Sequence, residues 1–202
     1  PLKIRAGVTS QATKTVTKVN RKDYFMKYML LLTALLSSGV FASEFDETMA
    51  AAKQGKLYAQ FNLGIMYQIG RGIPQNDAEA FKWYRKAAEQ GYATAQFNIG
   101  NMYANGRGVP ENDAEAFKWY RKAAEQGYAT AQFNIGNMYA NGRGVPENSI
   151  KAYVWWSMAK TQGDESAKGN LDILKPQMTK QQIAQAQELA AKCYESGYKD
   201  CD

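Results

Sequence analysis

The sequence predicts an all-α solenoid of stacked helix pairs, and three observations carry that expectation. The segment YATAQFNIGNMYANGRGVPEN, Tyr92 to Asn112, recurs letter for letter at Tyr128 to Asn148, an offset of 36 residues. The segment NDAEAFKWYRKAAEQGY, Asn76 to Tyr92, recurs at Asn112 to Tyr128 with the same offset. Each copy holds two apolar stripes at helical spacing with a glycine loop between them. One such pair leaves a face bare, so stacking must supply the core.

Ahead of the repeats, Met26-Lys27, the apolar run Tyr28 to Leu36 and the small-residue end Ser37 to Ala42 have the three regions of a secretory signal. Val40 and Ala42 stand at the cleavage positions, so residues 26–42 are expected to be a signal peptide cut after Ala42 and the protein to be periplasmic or secreted. The run is shorter than the roughly 20 residues a spanning helix needs, and no stable membrane anchor is expected after cleavage. Residues 1–25 open on Pro, lack apolar periodicity, and are expected to be disordered upstream or non-native sequence, with Met26 as the natural start.

Residues 43–202 are expected to form the repeat domain. A leading half unit over 45–55 aligns Phe45, Ala51, Ala52, Gln54 and Gly55 with Phe81, Ala87, Ala88, Gln90 and Gly91. Units follow over about 56–91, 92–127 and 128–163. In the middle unit, Ala95, Ile99, Met102 and Tyr103 make one helical stripe, and Gly106-Arg107-Gly108 stops that helix. Asn112, with Glu115 three residues on, makes a capping-box-like start for the second helix, whose stripe is Ala116, Tyr120, Ala123 and Ala124 and whose end is Gly127. Gly100 and the alanines allow close backbone approach while Trp119 and Tyr120 fill the remaining volume. Over 164–202, Ala167, Asn170 and Leu171 keep the template until Pro176; Thr179 with Gln182 then starts a capping helix with the stripe Ile183, Ala186, Leu189, Ala190 and Cys193.

Charge and residue inventory narrow the function. The whole chain has 25 Lys+Arg and 19 Asp+Glu, but residues 1–42 hold 7 and 1 of these, which leaves 18 of each sign in residues 43–202. The basic excess belongs to the segment expected to be removed, and no nucleic-acid partner is expected. There is no histidine, which excludes Ser-His-Asp and Cys-His nucleophilic machinery and histidine metal sites, and no cofactor is expected. Asp77/Glu79 and Asp113/Glu115 sit where carboxylates answer the helix dipole, and Gly-Arg-Gly at 70–72, 106–108 and 142–144 reads as a turn. Trp83, Trp119, Trp155 and Trp156 read as core, with Trp156 expected to be partly exposed because it replaces the template tyrosine. Cys193 and Cys201 flank Ser196-Gly197, and in an exported chain this even pair is expected to form a disulfide rather than stay as two thiols.

The run A-x-F-N-[LI]-G-x-M-Y-x-x-G-R-G-[VI]-P followed by A-x-x-W-Y-x-x-A-A-x-x-G resembles the Sel-one-like repeat, a relative of the tetratricopeptide repeat, over about Phe45 to Gly163. The resemblance implies a right-handed superhelix whose concave side is lined by the first helices, and a role as an adaptor that binds another protein or peptide. Carried over through the Leu/Ile-Gly and Tyr landmarks, the tetratricopeptide groove positions fall on Thr94, Phe97, Asn101 and Asn105 and again on Thr130, Phe133, Asn137 and Asn141. Tyr58 and Phe61 hold the first two positions of the first unit, where Ile65 and Ile69 replace the asparagines; the groove is expected to be apolar at one end and amide-lined at the other. A ladder of solvated asparagines is the alternative. The preferred function is an interaction module, not an enzyme; the alternative is a β-lactamase or penicillin-binding hydrolase, as suggested for cysteine-rich relatives. Those relatives carry a cysteine pair in each repeat, which this chain lacks, and no S-x-x-K motif occurs within the repeats.

Overall fold

The computed structural model describes residues 44–201. The expected signal peptide, its cleavage after Ala42 and the expected disorder of residues 1–25 lie outside the described residues. Helix follows helix: α1 (residues 44–53), α2 (Leu57–Ile69), α3 (Asp77–Glu89), α4 (Ala93–Ala104), α5 (Asp113–Ala124), α6 (Ala129–Asn141), α7 (Ser149–Thr161), α8 (Glu165–Leu174), a short 3-10 turn (Lys175–Gln177) and α9 (Lys180–Glu195). No described residue is in a strand.

The helix boundaries follow from local chemistry. Asn76, Asn112 and Asn148 each accept the amide of the third residue on, Glu79, Glu115 and Lys151, at 3.0 Å. Only half of the expected capping box forms at α3 and α5. The carboxylates of Glu79 and Glu115 turn to Lys82 and Lys118 at 2.6 Å instead of reaching back. The complete box is at α9, where Thr179 accepts the Gln182 amide and the Gln182 side chain accepts the Thr179 amide. At the other end, Gly70 and Gly142 take left-handed φ of 72° and 64° and return their amides to Met66 and Met138, a conformation that costs glycine little.

Within each unit the first helix packs on the second, α2 on α3, α4 on α5 and α6 on α7; α3 with α4 and α5 with α6 join the units. Of the expected stripes, Ala95, Ile99 and Met102 on α4 and Ala116, Tyr120, Ala123 and Ala124 on α5 are buried, and Tyr103 is half-buried with its ring edge-on to Phe81. Gly64, Gly100 and Gly136 lie flush against the rings of Tyr84, Tyr120 and Trp156, and a Cβ built on Gly100 would stand 2.5 Å from the Tyr120 ring. Trp156 is therefore buried, 5% exposed, which corrects the expected partial exposure: it fills the tyrosine's seat against a backbone with no side chain.

α7 packs on both α8 and α9, and the α9 stripe closes the C-terminal core: Ala186 and Cys193 are buried with Trp155 and Met158, and Ile183, Leu189 and Ala190 pack against them. Cys193 and Cys201 form the expected disulfide. Converting both to serine is expected to cost up to about 2.5 kcal/mol, by the chain-entropy model for so short a loop. The loss should be local. Hydrogen exchange should accelerate in α9 and leave α4 to α6 protected; equal acceleration throughout would assign the bridge to the whole array instead of its cap.

Candidate functional site

Two side-chain ladders run through the array before any cavity is reached. Gln60, Gln96 and Gln132 are buried, and their side-chain amides donate to the carbonyls of Ala52, Ala88 and Ala124 at 3.2, 3.1 and 3.1 Å. Their oxygens accept from Gln90, Gln126 and Gln162, each at 2.7 Å, so buried polar groups are satisfied by the neighbouring helix. The second ladder joins loops to helices. Arg107 pairs with Asp77 at 3.0 Å and Arg143 with Asp113 at 2.7 Å, each reaching back to the first turn of the preceding unit's second helix. Sequence reasoning missed both ladders, although Gln, Arg and Asp recur at the 36-residue offset that would have exposed them.

The groove residues divide into two groups. Phe61 is half-buried between Tyr84 and Tyr92, with ring centroids 5.5 and 4.9 Å away, and Phe97 lies in the same way between Tyr120 and Tyr128, at 5.7 and 5.0 Å. Phe133 packs on the C-terminal core and Tyr58 is exposed with its ring edge on Tyr92. Thr94 is half-buried and Thr130 exposed. These six residues line neither amide cavity described next. The aromatics join one unit to the next.

The asparagines do come together. A cavity of about 320 Å³ is lined by Asn105, Asn134, Asn137 and Asn141 with Tyr120, Asp113, Arg143, Ala104 and Met138. One unit earlier, a cavity of about 220 Å³ is lined by Asn98, Asn101, Asn105, Gln68, Met102 and Arg107. Shifted by 36 residues, the six residues of the smaller lining fall on Ala104, Asn134, Asn137, Met138, Asn141 and Arg143 of the larger, so five keep their identity and Gln68 stands where the larger has Ala104; Asn105, Asp113 and Tyr120 line the larger cavity without a counterpart in the smaller. Asn98 and Asn134 were not among the expected groove residues; their recurrence one turn before Asn101 and Asn137 was the available signal.

Part of each amide already has structural work. Asn101 Oδ1 accepts from the Tyr120 hydroxyl at 2.7 Å, and Asn137 Oδ1 accepts from Trp156 Nε1 at 3.1 Å and Asn170 Nδ2 at 3.0 Å. Asn105 and Asn141 donate to the Asn101 and Asn137 carbonyls at 2.7 Å. These bonds use the Oδ1 groups of Asn101 and Asn137 and the Nδ2 groups of Asn105 and Asn141. Each arginine is neutralised by its aspartate, so the cavities present neutral donors and acceptors rather than net charge.

Burial pushes the Tyr84 and Tyr120 hydroxyls from 10.0 up to about 12, against the weaker opposite pull of their hydrogen bonds to Asn98 and Asn134. The unfolded chain loses these protons near pH 10. The folded chain keeps them to about pH 12 and so binds more protons in that window, and stability must fall as pH rises through it. The loss is roughly 2–3 kcal/mol per tyrosine, complete above the folded value and absent below pH 10. Urea midpoints measured from pH 9 to 12 should drop steeply, and Tyr120→Phe should flatten the drop. An unaltered slope in that variant would place the alkaline sensitivity elsewhere.

The Sel1 repeat model matches residues 57–92, 93–128 and 129–164, more than half of the chain. The chain belongs to the Sel1-repeat family. Each matched Sel1 repeat begins at the first residue of a first helix, or within one residue of it, so the family's unit and the structural unit coincide. Among solved structures, a Sel1 repeat protein from Oxalobacter formigenes is 42% identical with a TM-score of 0.61, covering 64% of this chain and 52% of that one. A protective antigen of uropathogenic Escherichia coli strains with an SLR fold is 30% identical with a TM-score of 0.50, covering 76% of this chain and 41% of that one. The chain thus spans about half or less of the length of these two. Cysteine-rich protein B of Helicobacter pylori, 21% identical with a TM-score of 0.52 over 66% of this chain and 96% of its own, shares the fold. Comparison with curated proteins finds no match. Sel1-repeat proteins are generally protein–protein interaction modules and mostly non-enzymatic scaffolds.

Proposed function

We propose that this Sel1-repeat array is an exported, non-catalytic interaction module that holds an extended segment of a partner protein along the concave face formed by its first helices. The observation that carries this reading is the pair of matching amide cavities, with Asn101 and Asn137 at corresponding places. An extended backbone offers one donor and one acceptor per residue, which an asparagine side chain can meet from a single position. Export is supported by the signal-like segment over 26–42 and by the Cys193–Cys201 bridge, which an oxidising compartment favours.

Asn101→Ala with Asn137→Ala is expected to weaken partner binding roughly tenfold or more, at about 1 kcal/mol for each hydrogen bond lost. The same changes also strip acceptors from Tyr120 and Trp156, so a few degrees of melting temperature should go with them. Tyr120→Phe with Trp156→Phe is the stability control, because these changes break the Tyr120–Asn101 and Trp156–Asn137 bonds and leave both asparagines in place; Tyr120→Phe alone controls for the Asn101 site. In capture from periplasmic extract, the aromatic double variant should retain the partner and the asparagine pair should lose it. If the aromatic double variant loses it equally, or if Lys82→Ala with Lys118→Ala on the second helices abolishes capture while the asparagine pair does not, the concave-face reading fails.

A further inference from the structure

The amide row has apolar ends. The position of Asn101 and Asn137 is Ile65 in α2 and Ile173 in α8, and that of Asn105 and Asn141 is Ile69 in α2. Ile69 and Ile173 are 63% and 67% exposed, two of only four large apolar side chains that the described residues leave in solvent. Single exposed apolar residues are ordinary. Ile69 stands in the register of Asn105 and Asn141 and Ile173 in that of Asn101 and Asn137, on the first helices that precede and follow α4 and α6 in the array.

We propose that the strip selects an uncharged, extended peptide with an apolar side chain at each end, seated on Ile69 and Ile173, and hydrogen-bonding residues between them. This rests on the peptide-binding reading above and specifies its ligand. Charge is disfavoured because Asp77 and Asp113 already pair with Arg107 and Arg143 at the cavity rims, so an acidic ligand would have to displace a carboxylate already in place.

The test is selection of a phage-displayed random dodecapeptide library on the full chain, followed by affinity measurement on synthetic copies of the enriched peptides. Enriched sequences should carry two large apolar residues at a constant spacing with few charges between them. Serine in place of either apolar residue, or Ile69→Ser or Ile173→Ser in the protein, should weaken binding about tenfold. Both isoleucines are exposed, so these changes leave the core intact. Charged consensus peptides, or peptides indifferent to Ile69 and Ile173 yet dependent on Asn101 and Asn137, would overturn the motif and keep the groove. Peptides indifferent to all four residues, or no enrichment at all, would overturn the peptide-binding reading with it.

Discussion

Alanine at Gly100 and Gly136 together is expected to destabilise the array by roughly 4 kcal/mol, whereas alanine at Gly169 should stabilise it by up to about 1 kcal/mol. All three glycines lie inside helices, where the exchange alone favours alanine by about 1 kcal/mol. What separates them is the space around each. A Cβ at Gly100 meets the Tyr120 ring at 2.5 Å and one at Gly136 meets the Trp156 ring, while nothing lies within 4 Å of Gly169. The rings cannot simply retreat, because their polar ends are tied to Asn101 and Asn137. Overpacking of this kind costs about 1–3 kcal/mol and occasionally more, and the tether puts each site at the upper end of that range. The sites lie in different units, so their costs should add. Urea denaturation of the double variant and of Gly169→Ala decides the matter, and a shift of the same sign in both would remove the close-approach argument.

Trp155→Ala should cost about 3–5 kcal/mol, and Trp155→Phe less than about 1.5. Trp155 is 1% exposed in the core shared with α9, and its indole N–H makes no hydrogen bond. Alanine leaves a large cavity under the cap. Phenylalanine loses less volume and at the same time removes an unpaired buried donor, whose burial costs about 1–3 kcal/mol. Thermal melts of the two variants should therefore differ widely. Equal losses would mean that the indole's shape, and not the balance of volume and polarity, holds the site.

The elements were legible because their signals are local. Asn112 beside a period-3.6 stripe, Gly142 after one, and Thr179 with Gln182 are short-range rules that no tertiary contact overrides here. The family resemblance was legible for the same reason, since its landmarks lie within one 36-residue unit. What escaped were partnerships between side chains far apart in sequence. Arg107 with Asp77, across units, and Gln126 with Gln96, within one, are each 30 residues apart, and whether such long side chains meet depends on how the helices are rotated on one another. The burial of Trp156 depended on Gly136, whose bare backbone admits a larger ring than tyrosine. The site was half legible on these grounds. Asn101, Asn105, Asn137 and Asn141 line the cavities as their register suggested, while Phe61, Phe97 and Phe133 are drawn into the joints between units by neighbouring rings and core.

The bonds between units have a further consequence. Arg107 holds Asp77 as Arg143 holds Asp113, and Gln96 donates to the Ala88 carbonyl as Gln132 does to that of Ala124, so successive joints are made of the same parts. A duplicate of residues 92–127 spliced in after Gly127 would find at both of its boundaries the residues that the original finds at its own. Its Arg107 would reach Asp113, its Gln96 would reach the Ala124 carbonyl, and it would bring one more asparagine cavity of the same design. Duplication in whole units is thus a neutral step for folding, and an array built this way can grow longer without redesigning a single interface.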